Sequence, residues 1–121
     1  MAAMAVRDTA SAPRRPGVPA REIRRLALDI ARRFSPRKIV LFGSHAEGRP
    51  QRDSDVDLLV ITDMPAGTDA SLEIRRATDY SFPLDIIVCD AQRLARRVRA
   101  GDFFLQDAMK RGKVLYERPD P

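Results

Sequence analysis

Two carboxylates, Asp55 and Asp57, open a run that is otherwise apolar, Asp55-Val56-Asp57-Leu58-Leu59-Val60-Ile61. Its aliphatic, partly β-branched residues predict a strand, closed by the turn material Asp63-Met64-Pro65-Ala66-Gly67. Side chains alternate along a strand, so the two Asp point the same way while Val56, Leu58 and Val60 take the opposite face. Carboxylates side by side repel each other, and burial penalises each charged form. Stability alone gives no reason to place them there. A divalent cation removes the conflict, because hard ions such as Mg²⁺ favour carboxylate oxygens.

The neighbouring segments extend this chemistry. Ile39-Val40-Leu41-Phe42 reads as a short buried strand that ends at Gly43-Ser44. Glycine lets a backbone approach a phosphate closely, the Ser44 hydroxyl adds a donor, and amides at a turn or helix start favour an anion. A polar loop from about Glu47 to Ser54 leads to the Asp55 strand, and Pro83-Leu84-Asp85-Ile86-Ile87-Val88-Cys89 is a further strand with a single acidic residue. Paired in the right register, the two strands bring Asp85 to Asp55 and Asp57. Three carboxylates can hold two metal ions about 3.5–4 Å apart, the arrangement that clamps an in-line phosphoryl displacement. Asp85 is then placed to take the proton of an incoming hydroxyl. An Asp-x-Asp by itself is common at turns and caps, and Gly-Ser after a strand is common too. Their order along this chain is the specific signal.

The remaining elements follow from periodicity and caps. Ile23, Leu26, Ala27, Ile30, Ala31 and Phe34 trace one face of a helix that starts near Arg21 and stops at Pro36. Residues 69–79 predict a short helix with Leu72 and Ile74 as its apolar contribution. Asp90 caps a helix through Val98, Asp102 caps another through Arg111, and Gly112 lies just past its end. Phe103, Phe104 and Leu105 are expected to close the core, with at most one left exposed, and Val114-Leu115-Tyr116 forms a last short strand. The pattern is a single α/β (α+β) domain over residues 21–118, a small mixed sheet flanked by helices. Residues 1–20, with Pro13, Pro16, Pro19 and Gly17 among alanine and arginine, offer no apolar face and read as a disordered extension.

Composition narrows the function classes. The chain has 121 residues, 44% hydrophobic and 32% charged, which fits a soluble domain, and no apolar run is long enough for a membrane helix. The formal net charge of +5 comes mostly from arginine scattered over several segments, without tryptophan and with only two tyrosines, so direct nucleic-acid binding is not the expectation. Arg93, Arg96, Arg97 and Arg99 crowd one helix and read first as a solvated face, second as a docking surface for an acidic partner. One cysteine, Cys89, excludes an internal disulfide and reads as a small buried residue in a reducing cytoplasm.

The stretch Leu41-Phe42-Gly43-Ser44-His45-Ala46-Glu47-Gly48, then Asp53-Ser54-Asp55-Val56-Asp57-Leu58-Leu59-Val60, resembles the polymerase-beta-type nucleotidyltransferase superfamily, above all its minimal (MNT) members. Their pattern is Gly-Ser, ten residues, then Asp-x-Asp, which residues 43–57 satisfy. The resemblance runs from about Arg37 to Cys89, and Gly112-Lys113-Val114-Leu115-Tyr116 also looks typical of these domains. It implies that Gly43 and Ser44 contact nucleotide phosphates, that Asp55 and Asp57 ligate Mg²⁺, and that Asp85 is the third carboxylate.

The reaction implied is transfer of a nucleoside monophosphate, commonly AMP from ATP, to a hydroxyl with release of pyrophosphate. Minimal members of this kind are similar to antitoxins that bind an all-helical HEPN-type partner and adenylylate a tyrosine on it, so a hetero-oligomer is the implied assembly. The catalytic fold takes up the length after residue 20, which favours an acceptor presented by another protein. Glu47 stands where many relatives carry Arg, and Arg49 is the nearby cation that can serve the nucleotide in its place. His45 reads as a local loop contact rather than a catalyst or a metal ligand. Two alternatives remain beside this reading: a non-catalytic antitoxin that works by binding, and a nucleotidyltransferase acting on an aminoglycoside-like small molecule.

Overall fold

In the computed structural model, residues 17–51, 53–63 and 69–119 are described. The expected extension falls mostly on residues 1–16, and the turn at residues 64–67 also lies outside the described residues. The apolar stripe read from the sequence becomes α1 (Ala20–Phe34), which buries Ile23, Leu26, Ala27, Ile30 and Ala31. Glu22 lies in its first turn and Arg32 and Arg33 in its last, complementing the helix dipole. Ser35 closes the helix in the left-handed region (φ 46°), its amide donating to the Ala31 carbonyl at 3.0 Å, and Pro36 cannot continue the helix.

Beyond α1 come β1 (Lys38–Phe42), β2 (Val56–Thr62), α2 (Ala70–Ala77), β3 (Leu84–Asp90), α3 (Ala91–Arg99), α4 (Phe103–Arg111) and β4 (Lys113–Glu117). The caps are those expected: Asp90 accepts from the Arg93 amide at 2.9 Å, and Asp102 from that of Leu105 at 3.2 Å. The strands form one mixed sheet in the order β3-β2-β1-β4, with β2 and β3 parallel and the other pairs antiparallel. This is the small mixed sheet with flanking helices that the pattern predicts.

Alternation along the strands splits the core in two. Ile39, Leu41, Val56, Leu58, Val60, Leu84 and Ile86 pack with α1 and with Ile74 of α2. Val40, Phe42, Leu59, Ile61 and Cys89 pack with Leu94 of α3 and with Leu105 and Ala108 of α4. Cys89 is a buried free thiol whose proton affinity burial pushes up, with Asp90 adding to the effect, so it acts as a small core residue.

Two expectations are corrected. Among the described residues packing is already in place before Arg21: Val18 lies against the core and its amide is hydrogen-bonded to His45. Phe103 and Phe104 do not close the core, being 83% and 69% exposed. They occupy the first two positions of α4, whereas the stripe that meets the sheet runs through Leu105 and Ala108.

Candidate active site

Register decides whether the acidic residues meet. In the parallel β2–β3 pair, Asp57 is the direct partner of Asp85, and in the antiparallel β1–β2 pair it is the partner of Phe42. Adjacent strands lie about 4.8 Å apart, so Asp57 and Asp85 stand side by side on one face. That face carries Leu59 and Ile61 further along, buried under α3 and α4. Asp57 is half-buried at its end and Asp85 is exposed. Asp55, exposed and one residue ahead of β2, completes the group less closely.

The electrostatics record this closeness. Asp57 is raised from the ordinary 3.8 to about 6, first by burial, then by the charge of Asp85 and then by that of Asp55. Among the described residues no cation of the chain forms a salt bridge with any of the three. An unrelieved acidic pair in a chain of formal charge +5 is a net preference for an added cation.

Gly43 places the turn after β1 against Asp57. Its φ is +77°, and a Cβ there would collide with Oδ2 of Asp57. After β1 the chain makes one tight turn: the amides of Ala46 and Glu47 donate to the Gly43 carbonyl at 3.1 and 3.2 Å, and the Arg49 amide donates to that of Ser44 at 3.0 Å. The amides of Ser44 and His45 have no acceptor among the described residues, which leaves two successive donors beside Gly43. Arg49 and Glu47 are both exposed, and the Arg49 side chain has no ion-pair partner among the described residues.

His45 is the residue whose sequence reading understated its place. It is buried, with both ring nitrogens engaged: the Val18 amide donates to Nε2 at 3.0 Å, and Nδ1 lies 3.1 Å from the Asp55 carbonyl oxygen. The local loop contact was foreseeable, but its partners were not, since one lies in the segment expected to be disordered. Phe104 was also missed at this end of the molecule. Its ring meets that of Phe42 edge-on at 6.1 Å, so exposed Phe104 borders the strand position next to Asp57. In α3, Arg93, Arg96, Arg97 and Arg99 are exposed, and Arg97 pairs with Asp102 at 2.7 Å. A cleft of about 290 Å³ between the start of α1 and residues 79–82 contains none of the candidate site residues.

The donor set suits a hard divalent cation: only carboxylate oxygens, one of them with a raised proton affinity. Among the described residues no three acidic, cysteine or histidine side chains are yet drawn around one point. Asp57 and Asp85 are the pair the backbone brings together, and Asp55 lies one residue ahead of β2.

Known proteins resemble this chain in sequence and in fold. A Methanocaldococcus jannaschii protein named protein adenylyltransferase is 28% identical over 80 residues, covering 66% of this chain and 78% of its own length. A second so named from the same organism is 36% identical over 52 residues, covering 42% of this chain and 52% of its own length. Among solved structures, a Sulfolobus solfataricus protein named as a nucleotidyltransferase superposes with a TM-score of 0.56 at 19% identity, covering 81% of this chain and 79% of that one. A toxin–antitoxin complex with AMP-PNP gives 0.59 at 23%, over 78% and 73%. A mutant toxin–antitoxin MntA–HpeT complex gives 0.57 at 21%, over 84% and 75%. These structural likenesses concern the fold. The family model of the nucleotidyltransferase domain matches residues 23–115, from the first buried turn of α1 to the middle of β4, and the chain belongs to that family of nucleotidyltransferases.

Proposed function

We propose that this nucleotidyltransferase moves AMP from ATP onto a tyrosine hydroxyl of an all-helical HEPN-type toxin, and so acts in the cytoplasm as that toxin's antitoxin. The observation that carries the reading is the in-register Asp57–Asp85 pair lying against Gly43. Catalysis of phosphoryl transfer is mostly positioning and charge stabilisation, and this corner offers both signs of partner. The amides of Ser44 and His45, without an acceptor among the described residues, suit phosphate oxygens, with Arg49 in the same loop to add a charge. Asp55, Asp57 and Asp85 would hold two Mg²⁺ ions, which would supply the positive charge that lets a triphosphate approach three carboxylates.

In the reaction, the acceptor oxygen forms a bond to the α-phosphorus as the bond from that phosphorus to the bridging oxygen breaks. Pyrophosphate leaves with the electron pair, and Asp85 takes the hydroxyl proton. The names of the relatives support AMP as the group transferred, and the solved toxin–antitoxin complexes of the same fold support a toxin as partner.

The test uses ATP labelled at the α-phosphate. Label passes to the partner toxin with Mg²⁺ present and stops passing with Asp55→Asn or Asp57→Asn. Equal labelling by those variants sinks the mechanism. A second reading, silencing by binding alone, is favoured by exposed Phe104 beside the site and by acidic Glu47 in the phosphate turn. It prevails if Asp57→Ala still protects cells from the toxin while transfer is absent.

A further inference from the structure

One peptide plane, between Asp55 and Val56, ties together every segment that the reading above assigns to catalysis. Its N–H, from Val56, donates to the Pro83 carbonyl at 2.9 Å, just ahead of Asp85. Its carbonyl, from Asp55, lies 3.1 Å from Nδ1 of His45, in the turn that begins at Gly43. The plane is therefore held from β3 on one side and from the phosphate turn on the other.

The protonation of the ring follows from its partners. Val18 donates to Nε2 at 3.0 Å, so Nε2 bears no proton, and only an N–H at Nδ1 can satisfy the Asp55 carbonyl. Both contacts are to backbone, and the ring is 9% exposed, so neither is readily exchanged for water. Gly17, at φ +91°, lets the strap of residues 17–19 close over the ring: a Cβ there would lie 2.8 Å from Nε2 and 2.7 Å from Cβ of Pro50.

We propose that His45 is a positioning residue, which fixes the Asp55–Val56 plane and thereby the directions of Asp55 and Asp57, with the strap holding the ring in place. The proposal rests on the adenylyltransferase reading for its kinetic consequence, though not for its structural one. The His45 ring touches neither nucleotide nor acceptor in this scheme. It acts through the plane.

Two variants separate its two bonds. His45→Asn puts an amide N–H where Nδ1 stands and keeps the Asp55 contact while losing Val18. His45→Gln puts an acceptor where Nε2 stands and keeps Val18 while losing Asp55. Misplacing reacting groups by about 1 Å costs on the order of 100-fold in rate. His45→Gln is therefore expected to lower kcat for AMP transfer by about 10- to 100-fold with KM for ATP changed less than about twofold. Mn²⁺ binding by the nucleotide-free chain, read by electron paramagnetic resonance, should weaken in the same variant, and amide exchange over residues 55–58 should quicken. His45→Asn loses distinctly less than His45→Gln in all three, although its melting temperature falls at least as far.

A merely structural histidine predicts the opposite ordering, with every loss following the melting temperature, and that result overturns the proposal. Unchanged exchange over residues 55–58 in His45→Gln overturns it as well, even in a chain that transfers no AMP. A wild-type chain that neither binds Mn²⁺ nor transfers AMP refutes the catalytic reading, while the exchange comparison still decides the role of His45.

Discussion

Replacing Asp57 by Asn should stabilise the metal-free protein at neutral and alkaline pH. Asp57 is raised from 3.8 to about 6 by burial, Asp85 and Asp55, in that order. A rise of that size corresponds to about 3 kcal/mol between the two protonation states. Solvent reaches part of this half-buried side chain, and screening brings the usable figure to about 1–2 kcal/mol. The native state keeps a proton between pH 3.8 and about 6 that the unfolded chain has released, so stability falls as pH rises through that window and stays lower above it. Asn cannot ionise and escapes the loss. At pH 8 without divalent ions, Asp57→Asn should exceed wild type by about 1–2 kcal/mol, or about 5–15 °C in Tm for a domain near 100 residues. Below pH 3.8 the two should coincide. Thermal melts in EDTA from pH 3 to 8 test this. A variant that is less stable than wild type at pH 8, or a gap that persists unchanged at pH 3, refutes the argument that Asp57 is held in an unfavourable charged state.

Two further changes probe the same corner. Gly43→Ala forces a Cβ into Oδ2 of Asp57 at a φ of +77°, and strain of this kind costs about 1–3 kcal/mol; chemical denaturation should show that loss, and label transfer should fall with it. Phe104→Ala removes the edge-on contact with Phe42, worth about 0.5–1.5 kcal/mol, whereas Phe103→Ala should change unfolding free energy by less than about 0.5 kcal/mol; equal losses from both would place Phe103 in the core after all.

Elements with a strong period were legible in the residues themselves. The stripe from Ile23 to Ala31 named α1, and Asp90 and Asp102 announced their helices because capping needs a carboxylate at one defined position. The pairing of Asp57 with Asp85 could be stated only as a condition. A strand sequence sets which side chains share a face but not which partner it slides against, and a one-residue slip would have turned Asp85 to the other side. Phe103 and Phe104 show the limit of reading by hydrophobicity, since two adjacent residues on a helix cannot both follow a stripe defined by Leu105 and Ala108. The strap at Gly17 and Val18 was hidden for a different reason. Its order comes from one bond to His45 and from packing on distant core residues, neither of which leaves a period in the local sequence.

The cost at Asp57 and the use proposed for it are one fact seen under two conditions. A folded chain that keeps Asp57 beside Asp85 gives up stability when no cation is present, because its positive charge lies elsewhere: among the described residues Arg97 is paired with Asp102 and Arg118 with Asp63. A cation that binds the folded pair and not the unfolded chain returns stability as its concentration rises, by about 2.7 kcal/mol at 100 times its dissociation constant. That exceeds the 1–2 kcal/mol lost to ionisation at about pH 8. Wild type and Asp57→Asn should therefore exchange rank when Mg²⁺ replaces EDTA, the wild type gaining and the variant, with one carboxylate fewer, gaining little. A parallel rise in both would mean that Mg²⁺ acts on surface carboxylates at large, and the Asp57–Asp85 pair would lose its standing as the place where the ion sits.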